Sequence, residues 1–263
     1  MLDLTVAELK ARLAAADAAE LAALKRSLAA ETRKGVLSAV ASAEKRIAAQ
    51  QAEQQRLQGL FDFQNQLAQE AGAQVVAGLD EVGRGPVAGP LAVAAVVLPQ
   101  KADLPGLNDS KQVVEPVRRQ LAQRIKEVAL GWTVQFIPPE FIDSHGMTFS
   151  LKTAFSQALA ALEAQGLAVD LALLDGNPLH FDRREKNVVK GDAKCASIAA
   201  ASIVAKVERD ELMRALDEQF PGYHLASNKG YGSAEHIEAI RQLGLSPVHR
   251  VSFCQGFLQE SLF

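Results

Sequence analysis

Long hydrophobic runs, a signal-peptide core and clustered cysteines are all missing from this sequence of 263 residues. No apolar run reaches the roughly 18 residues that a membrane-spanning helix requires, so we expect no membrane protein. The first residues, MLDLTVAELK, carry acidic side chains and no apolar signal core, which argues against secretion. The two cysteines, Cys195 and Cys254, cannot form a disulfide framework or a CxxC metal site. We therefore expect a protein of the reducing cytoplasm, monomeric and without a membrane partner.

A strong net charge is also missing. The chain has 28 Lys and Arg against 31 Asp and Glu, which gives a formal net charge of −3. Binding of a polyanion would therefore depend on a local basic patch, or on cations that offset carboxylates. With 48% apolar and 22% charged residues, the composition is that of a folded globular protein, and disorder of the whole chain is excluded.

Residues 1–72 lack proline and differ in composition from the rest of the chain. Helix-forming residues dominate there, and Thr5 with Glu8 forms a T-x-x-E capping box that predicts a helix start. A long amphipathic helix is predicted from about residue 37 to residue 71. We interpret residues 1–72 as an N-terminal helical extension, either an appendage that packs on the main domain or a module that binds substrate or a partner.

Residues 73–263 are predicted to form an α/β domain with a mixed β-sheet flanked by helices. Short apolar runs that predict strands alternate with amphipathic segments that predict helices. The predicted strands are residues 75–80, 91–99, 132–137 and 171–175. The predicted helices are residues 117–130, 148–165, 193–219, 234–243 and 252–262.

Four acidic residues lie where a predicted strand ends or a predicted helix begins. Asp80 and Glu81 follow the first strand, Asp175 ends the fourth, and Asp192 precedes the long helix. Taken singly, Asp175 is typical of a turn before glycine, and Asp192 is typical of a helix N-cap. Asp80 and Glu81 are harder to explain structurally, because adjacent charges beside the core are costly without cations or hydrogen-bond donors.

Clustered carboxylates repel one another and raise each other's pKa, and a divalent cation removes that cost. Hard oxygen ligands suit Mg²⁺ or Mn²⁺ rather than zinc. Two such ions about 3.5–4 Å apart can bind a phosphodiester for in-line hydrolysis. Because neighbours on a strand point to opposite faces, Asp80 and Glu81 can share a site only if the chain bends there or one contributes its backbone carbonyl.

A glycine-rich segment follows these acids. Residues 83–88 satisfy G-x-G-x-x-A, the fingerprint of dinucleotide-binding folds, but that fingerprint must lead into a helix. Here Pro86 and Pro90 intervene, and the next run resembles a strand. We therefore predict a loop whose glycines let a ligand approach the backbone, with Arg84 placed to hold a phosphate.

Several segments resemble, in the same order along the chain, the motifs of bacterial ribonuclease HII, the type 2 ribonuclease H. They are GLDEVGRGPVAGPLAVAAVVL (78–98), LNDSK (107–111), LLDGN (173–177), VKGDAKCASIAAASIVAKVERD (189–210) and KGYGSAEHIEAIRQLGLSPVHRVSF (229–253). The helical extension resembles that of Bacillus-type members. The chain departs from the family at Gly146-Met147, where Asn-Ile is common, and at Val114, followed by Pro116, where a small polar helix cap is common.

The resemblance implies a ribonuclease H-like fold and a metal-dependent endonuclease. Such an enzyme hydrolyses the RNA strand of RNA–DNA hybrids and incises 5′ to ribonucleotides embedded in duplex DNA, leaving 3′-hydroxyl and 5′-phosphate ends. Two divalent ions, Mg²⁺ or Mn²⁺, would take part, one activating water and the other stabilising the leaving oxygen. Two alternatives remain: the related ribonuclease HIII, which lacks the Gly-Arg-Gly loop, and a non-catalytic nucleic-acid-binding module, against which the intact set of acids argues.

The resemblance also implies roles for individual residues. The catalytic and metal-binding acids are Asp80, Glu81, Asp175 and Asp192. The loop that contacts the ribose 2′-hydroxyl, the group by which proteins tell RNA from DNA, is Gly83, Arg84 and Gly85. The ring that stacks on the sugar beyond the cut, favouring an RNA–DNA junction, is Tyr231. The residues that contact phosphates or support the site are Lys111, Ser202, Lys206 and Arg209. Without the resemblance, the last three would be interpreted as a solvated helix face, and Tyr231 as a loop aromatic packed on the core.

The last five residues, Gln259 to Phe263, read QESLF and resemble the bacterial peptide that binds the replication sliding clamp. The usual form of that peptide is Gln-Leu-Ser/Asp-Leu-Phe, so Glu260 departs from it. Leu262 and Phe263 would fill an apolar pocket. The alternative is that Phe257, Leu258, Leu262 and Phe263 form the packed face of a last helix.

Overall fold

The computed structural model of the chain describes residues 4–258. The chain divides into two units, Met1–Gln58 and Gly59–Phe263. The clamp-like segment at residues 259–263 lies outside the described residues. Among the residues that are described, no helix is long and apolar enough to cross a membrane.

The N-terminal unit consists of α1 (Val6–Ala15), α2 (Ala18–Ser27) and the first part of α3 (Lys34–Ala71). The predicted capping box is confirmed: Thr5 N donates to Glu8 Oε2 at 2.8 Å, and Glu8 N donates to Thr5 Oγ1 at 3.3 Å. A second box, Asp17 with Glu20, starts α2. The long helix is also confirmed. The buried side chains of this unit are Leu9, Leu13, Ala16, Leu21, Leu24, Val36, Ala43 and Ile47.

The C-terminal unit is built on a mixed sheet with the strand order β3-β2-β1-β4-β5. The strands are β1 (Val76–Val82), β2 (Leu91–Val97), β3 (Gly131–Ile137), β4 (Leu171–Asp175) and β5 (Glu185–Val188). β2 is antiparallel to both of its neighbours, whereas β4 is parallel to both β1 and β5. The helices are α4 (Glu115–Val128), α5 (Pro139–Ala164), α6 (Ala196–Gln219), α7 (Leu225–Asn228), α8 (Ala234–Leu243) and α9 (Val251–Leu258). The predicted α/β class with a mixed sheet is confirmed.

Each face of the sheet is covered by one long helix. On one face, Leu79 of β1 packs in the same cluster as Phe155 of α5. On the other face, β1 approaches α6 so closely that a Cβ on Gly78 would stand 2.1 Å from the backbone carbonyl carbon of Ser197. Only glycine fits at this crossing, so Gly78 sets the distance between the sheet and the helix. Asp80, two residues further along, lies on the same face and points towards α6.

Most element boundaries differ from the prediction by a few residues and the short α7 was not predicted; three further differences have a physical explanation. The segment α5 consists of two helices that meet at Gly146, whose positive φ (76°) breaks the helical backbone; the second begins beside the predicted residue 148, whereas the first, from Pro139, was not predicted. β5 is missed because its sequence, EKNV, is polar. The long helix predicted from residue 193 begins at Ala196, after a short 3₁₀ turn over Gly191–Ala193.

The last part of α3 belongs to the core of the C-terminal unit. The Gln64 side chain accepts a hydrogen bond from the Ser197 amide at 2.8 Å, at the start of α6. Leu67 packs in one cluster with Val76 and Leu171 of the sheet. A truncation near residue 72 would therefore remove part of that core. The predicted boundary between the helical extension and the α/β domain, at residues 72 and 73, stays a prediction that truncation tests.

Removal of residues 1–58 is expected to leave a folded C-terminal unit, whereas removal of residues 1–70 is expected to destabilise it. The longer deletion uncovers the apolar cluster around Leu67 and leaves the Ser197 amide without its partner. Losses of this kind cost about 2–5 kcal/mol, and each kcal/mol lowers the melting temperature by about 2–4 °C for a domain of this size. Thermal unfolding followed by circular dichroism measures the difference. Equal melting temperatures for the two truncated proteins would contradict this assignment.

Candidate active site

Asp80 and Asp175 are neighbours on two parallel strands, near their carboxyl ends. β1 and β4 pair with Leu79 opposite Leu174, so the next residues, Asp80 within β1 and Asp175 at the end of β4, lie side by side and on the same face. In α/β folds, ligand sites form at such carboxyl ends. Asp80 is only 8% exposed. The register thus brings together two of the predicted acids.

Asp192 is held at this edge by the residue before it. The Gly191 amide donates a hydrogen bond to Asp175 Oδ1 at 2.6 Å. The chain turns here at Lys190, which has a left-handed backbone (φ 56°). Asp192 is itself buried. The simpler interpretation of Asp192 as the helix N-cap is wrong, because Cys195 occupies the cap position of α6.

Glu81 follows Asp80 on a strand that continues to Val82. Its Oε1 accepts a hydrogen bond from Arg84 Nη1 at 3.2 Å, which makes an ion pair. Burial is the main cause that raises the pKa of Asp80 and of Glu81; the Glu81 charge raises the pKa of Asp80 further, and the Asp175 charge raises that of Glu81 against the effect of Arg84. Glu81 is thus electrostatically coupled to the other acids while its carboxylate contacts the loop that follows β1.

The pKa values of three of these acids are raised, because the acids are buried and repel one another. Burial, followed by repulsion from Glu81, raises the pKa of Asp80 well above its ordinary value, against a hydrogen bond from Ser202. Burial also raises the pKa of Glu81, although Arg84 opposes the shift. Burial and then repulsion from Asp175 raise the pKa of Asp192. A bound cation would relieve these interactions.

The donor chemistry of the four acids fits a hard divalent cation, because carboxylate oxygens are the ligands that Mg²⁺ and Mn²⁺ prefer. Within residues 4–258, no three His, Cys, Asp or Glu side chains are arranged as the ligands of one ion. The crowding of the buried acids is the observation that supports the fit.

Ser202 and Lys111 border the acids, as the sequence predicted for residues of the site. The buried Ser202 hydroxyl interacts with Asp80 and lies 2.9 Å from Ser110 Oγ. Because a hydroxyl has one proton, Ser202 can donate to Asp80 only if Ser110 donates the second bond. Lys111 is exposed, and attraction to acids, Asp109 most of all, outweighs burial and raises its pKa. Lys111 thus adds an accessible positive charge beside the carboxylates.

Lys206 and Arg209 are engaged by the protein itself. Lys206 Nζ lies 2.6 Å from Asp210 Oδ1, so the Lys206 ammonium forms an ion pair with Asp210. Asp210 is a buried acid that the sequence analysis did not single out. Arg209 is fully buried and donates to the backbone carbonyls of Pro90 and Lys229, both at 2.9 Å. This burial excludes the interpretation of a solvated helix face. Arg209 is placed to support the site, and its guanidinium does not reach a surface phosphate.

The glycine loop, residues 83–90, leads into β2 rather than into a helix, which excludes the dinucleotide fingerprint. Gly83 has a left-handed backbone (φ 95°), and a Cβ there would lie 2.3 Å from Arg209 Nε. Glycine is therefore required by both conformation and space. Arg84 and Gly85 are exposed at the turn of the loop, beside the acids.

Arg250 holds the glycine loop from the other side, and sequence reasoning missed it. It is fully buried. Its Nη2 donates to the carbonyls of Gly83 at 2.7 Å and Gly89 at 2.8 Å, and its Nη1 donates to that of Arg84 at 3.1 Å. The sequence signal was a charged residue within the apolar segment VHRVSF, but nothing in the pattern identified its partners.

Tyr231 lies beside the glycine loop. Its side chain is 49% exposed, which excludes the interpretation of an aromatic packed in the core. Its ring carbon Cε1 would stand 3.9 Å from a Cβ on Gly85. The exposed ring thus lies beside the exposed Gly85 of the loop, whose Arg84 contacts Glu81.

Comparison with known proteins identifies related sequences and structures. A family model described as ribonuclease HII matches residues 77–256, and one described as ribonuclease HII N-terminal domain matches residues 5–68. Ribonuclease H2 from Pyrococcus horikoshii OT3 is 26% identical and has a TM-score of 0.60, over 71% of this chain and 98% of that chain. A chain of the PCNA:RNase HII complex from Archaeoglobus fulgidus is 27% identical and has a TM-score of 0.57, over 68% of this chain and 94% of that chain.

A likeness of fold extends to ribonuclease HIII. Bst-RNase HIII in complex with Mn²⁺ is 19% identical and has a TM-score of 0.56, over 74% of this chain and 72% of that chain. These similarities confirm the ribonuclease H-like fold that the sequence motifs implied. The two family models also confirm the resemblance to a ribonuclease HII that carries an N-terminal extension.

Proposed function

The chain belongs to the ribonuclease HII family, and we propose that it incises duplex DNA 5′ to embedded ribonucleotides, as well as hydrolysing RNA within hybrids. As a member of that family it is a ribonuclease H, a nuclease that acts on RNA–DNA hybrids. The products of the proposed incision carry 3′-hydroxyl and 5′-phosphate ends, and the reaction would initiate removal of ribonucleotides from DNA in the cytoplasm. The observation that carries the proposal is that the neighbouring Asp80 and Asp175 are followed along β1 by Glu81, which contacts Arg84 of the glycine loop, beside which the exposed Tyr231 ring lies.

Four acids would hold the divalent ions: Asp80, Glu81, Asp175 and Asp192. When bound, Mg²⁺ or Mn²⁺ supplies Lewis acidity and lowers the pKa of a water that attacks phosphorus. Asp80 and Glu81 lie on β1, Asp175 ends β4, and the Gly191 amide orients Asp175. Ser202 orients Asp80 from α6.

The remaining surface would recognise the ribonucleotide. The loop of Gly83, Arg84 and Gly85 would contact the ribose 2′-hydroxyl through its exposed residues Arg84 and Gly85, and the Arg84 guanidinium would bind a phosphate. Lys111 would bind a neighbouring phosphate through its exposed ammonium group. Tyr231 would stack on the deoxyribose that follows the ribonucleotide, where an additional hydroxyl fits less well.

Replacement of Tyr231 by Ala is expected to reduce cleavage at an RNA–DNA junction more than cleavage within a long hybrid. The ring contributes a stacking contact of about 1–3 kcal/mol if it behaves as other aromatics do on nucleotides, which corresponds to a factor of about 5–150. The measurement is kcat/KM on a duplex with one ribonucleotide and on a long hybrid. Tyr231→Phe is the matched control, because it keeps the ring and is expected to keep the selectivity. Equal losses on both substrates in Tyr231→Ala would contradict the junction role.

We also propose that residues 259–263 bind the replication sliding clamp. The similar archaeal structure that contains PCNA and RNase HII supports a search for such an interaction. The affinity should be weak, roughly micromolar, because a short segment must be ordered on binding. The test is a titration of clamp with the full chain and with a variant that lacks residues 259–263. If both bind equally, or neither binds, the segment has a structural role instead.

A further inference from the structure

Two buried histidines face each other beside the glycine loop. His236, on α8, is 0% exposed, and His249, between α8 and α9, is 3% exposed. Their Nε2 atoms are 3.1 Å apart, which is a hydrogen bond between the two rings. Nothing in the proposed chemistry uses either side chain.

The outer nitrogens of the pair fix the direction of this bond. The Ser246 backbone N–H donates to His249 Nδ1 at 3.0 Å, whereas the Ser246 carbonyl lies further from Nδ1, at 3.4 Å; since an amide can only donate, the shorter bond requires an unprotonated Nδ1. The proton of His249 is therefore on Nε2 and is donated to His236 Nε2. His236 must then carry its proton on Nδ1, which lies 2.8 Å from the Tyr231 carbonyl. The result is a chain of hydrogen bonds, all donated in one direction, from Ser246 through both rings to the backbone of Tyr231.

The two ends of this chain lie on opposite sides of the glycine loop. On one side, the Val87 and Ala88 amides donate to the Gly230 carbonyl, next to Tyr231. On the other side, His249 forms a β-bridge with Ala88. His249 also precedes Arg250, which holds the loop carbonyls. The histidine pair thus connects the segment that presents Tyr231 with the segment that presents Arg250, across the loop between them.

The surroundings keep both rings neutral. Burial lowers the pKa of His236, and burial followed by His236 lowers the pKa of His249 to about 4. The Tyr223 ring packs edge-on against His249 with its centroid 4.8 Å away. Beside burial, repulsion from His224 lowers the pKa of His236. Protonation of either ring would place two N–H groups face to face and break one of the hydrogen bonds that join Ser246, His249, His236 and Tyr231.

We propose that His236 and His249 are positioning residues, whose directed hydrogen bonds fix the backbone of Tyr231 against the glycine loop and so set selectivity for the RNA–DNA junction. The selectivity part rests on the proposed function. The positioning part does not, because it follows from the distances and from the donor and acceptor roles alone. Neither histidine touches substrate, so each acts through Tyr231 and the loop.

Two measurements without substrate test the positioning. Long-range ¹H–¹⁵N spectra at pH 7.5 should show His249 protonated on Nε2 and His236 protonated on Nδ1. Hydrogen exchange at residues 87–89 and 231–233 should quicken about tenfold or more in His236→Phe, which keeps a planar ring but loses both hydrogen bonds. His236→Asn keeps a donor near the position of Nδ1, and should restore most of the protection. The opposite tautomers, or unchanged exchange in His236→Phe, would overturn the proposal even if the enzyme were inactive.

The selectivity part is tested by the ratio of kcat/KM on a single-ribonucleotide duplex to that on a long hybrid. The ratio should fall about tenfold in His236→Phe and recover in His236→Asn, because misplacement of a positioning contact is costly. His224→Asn is the control, since residue 224 is exposed and has the left-handed backbone that Asn tolerates. Residue 224 also takes no part in the hydrogen bonds that join Ser246, His249, His236 and Tyr231. Faster exchange with an unchanged ratio would show a structural role alone. A wild-type enzyme that cannot cleave the single-ribonucleotide duplex would instead refute the proposed function, while the exchange data would still decide the positioning.

Discussion

Replacement of Asp80 by Asn is expected to abolish most cleavage and to stabilise the metal-free protein. The carboxylate would be lost from the centre of the acid cluster, and interactions of this kind supply several kcal/mol of transition-state stabilisation. A loss of about 4 kcal/mol corresponds to a rate reduced about 10³-fold. Asn keeps an oxygen for the hydrogen bonds from Ser202 and the Glu81 amide, so the fold should persist.

The stability effect has a defined sign. The folded-state pKa of Asp80 is raised, so its ionised form opposes folding at neutral pH, and this opposition disappears as the pH falls through that pKa. Asp80→Asn should therefore melt higher than wild type at pH 7.5 in EDTA, and the difference should vanish below the ordinary pKa of 3.8. Glu218→Gln is the control, because Glu218 is an exposed acid on α6, and it should change neither the cleavage rate nor the melting temperature. Substantial activity in Asp80→Asn with either metal would contradict its proposed role.

Replacement of Arg250 by Met is expected to be the most destabilising of the changes considered at the loop. It removes the donor for the carbonyls of Gly83 and Gly89, both buried residues, and unsatisfied buried acceptors cost about 1–3 kcal/mol each. Denaturant unfolding should show a loss of about 3 kcal/mol or more. Junction cleavage should fall as well, because the loop that presents Arg84 loses its support.

Arg250→Lys separates geometry from charge. Lysine keeps the charge but cannot span the carbonyls on both sides of the loop with a planar fork, so it should recover only part of the stability. Arg124→Met is the control, because Arg124 is exposed and forms a surface ion pair with Glu127, and it should change stability by less than about 1 kcal/mol. If Arg250→Met were as stable as Arg124→Met, the proposed support of the loop would be contradicted.

The parts of the site that the sequence predicts are those set by local pattern. Asp80 and Asp175 could be predicted because each ends an apolar run, and the ends of parallel strands meet at one edge. The exclusion of a dinucleotide site followed from two prolines and a β-like run after the glycines. The order of the family motifs then supplied the substrate class, which no charge or periodicity in this chain indicates.

The parts that could not be predicted depend on partners distant in sequence. The sequence alone favoured a solvated helix face for Arg209 and did not single out Arg250, yet both are buried and donate hydrogen bonds to backbone carbonyls more than 100 residues away, at Pro90 and Gly89. The last turns of α3 read as part of the extension, yet Gln64 contacts the start of α6, 133 residues later. No local pattern encodes a carbonyl acceptor, so these roles emerge only from the folded chain.

The central claim is tested most directly by cleavage of a duplex DNA that contains one ribonucleotide, with Mg²⁺ and Mn²⁺ compared and the product ends mapped. The account predicts a single incision 5′ to the ribonucleotide that leaves 3′-hydroxyl and 5′-phosphate ends. It also predicts that activity depends on added metal and is lost in Asp80→Asn. Cleavage restricted to long hybrids, or incision that persists in EDTA, would contradict it.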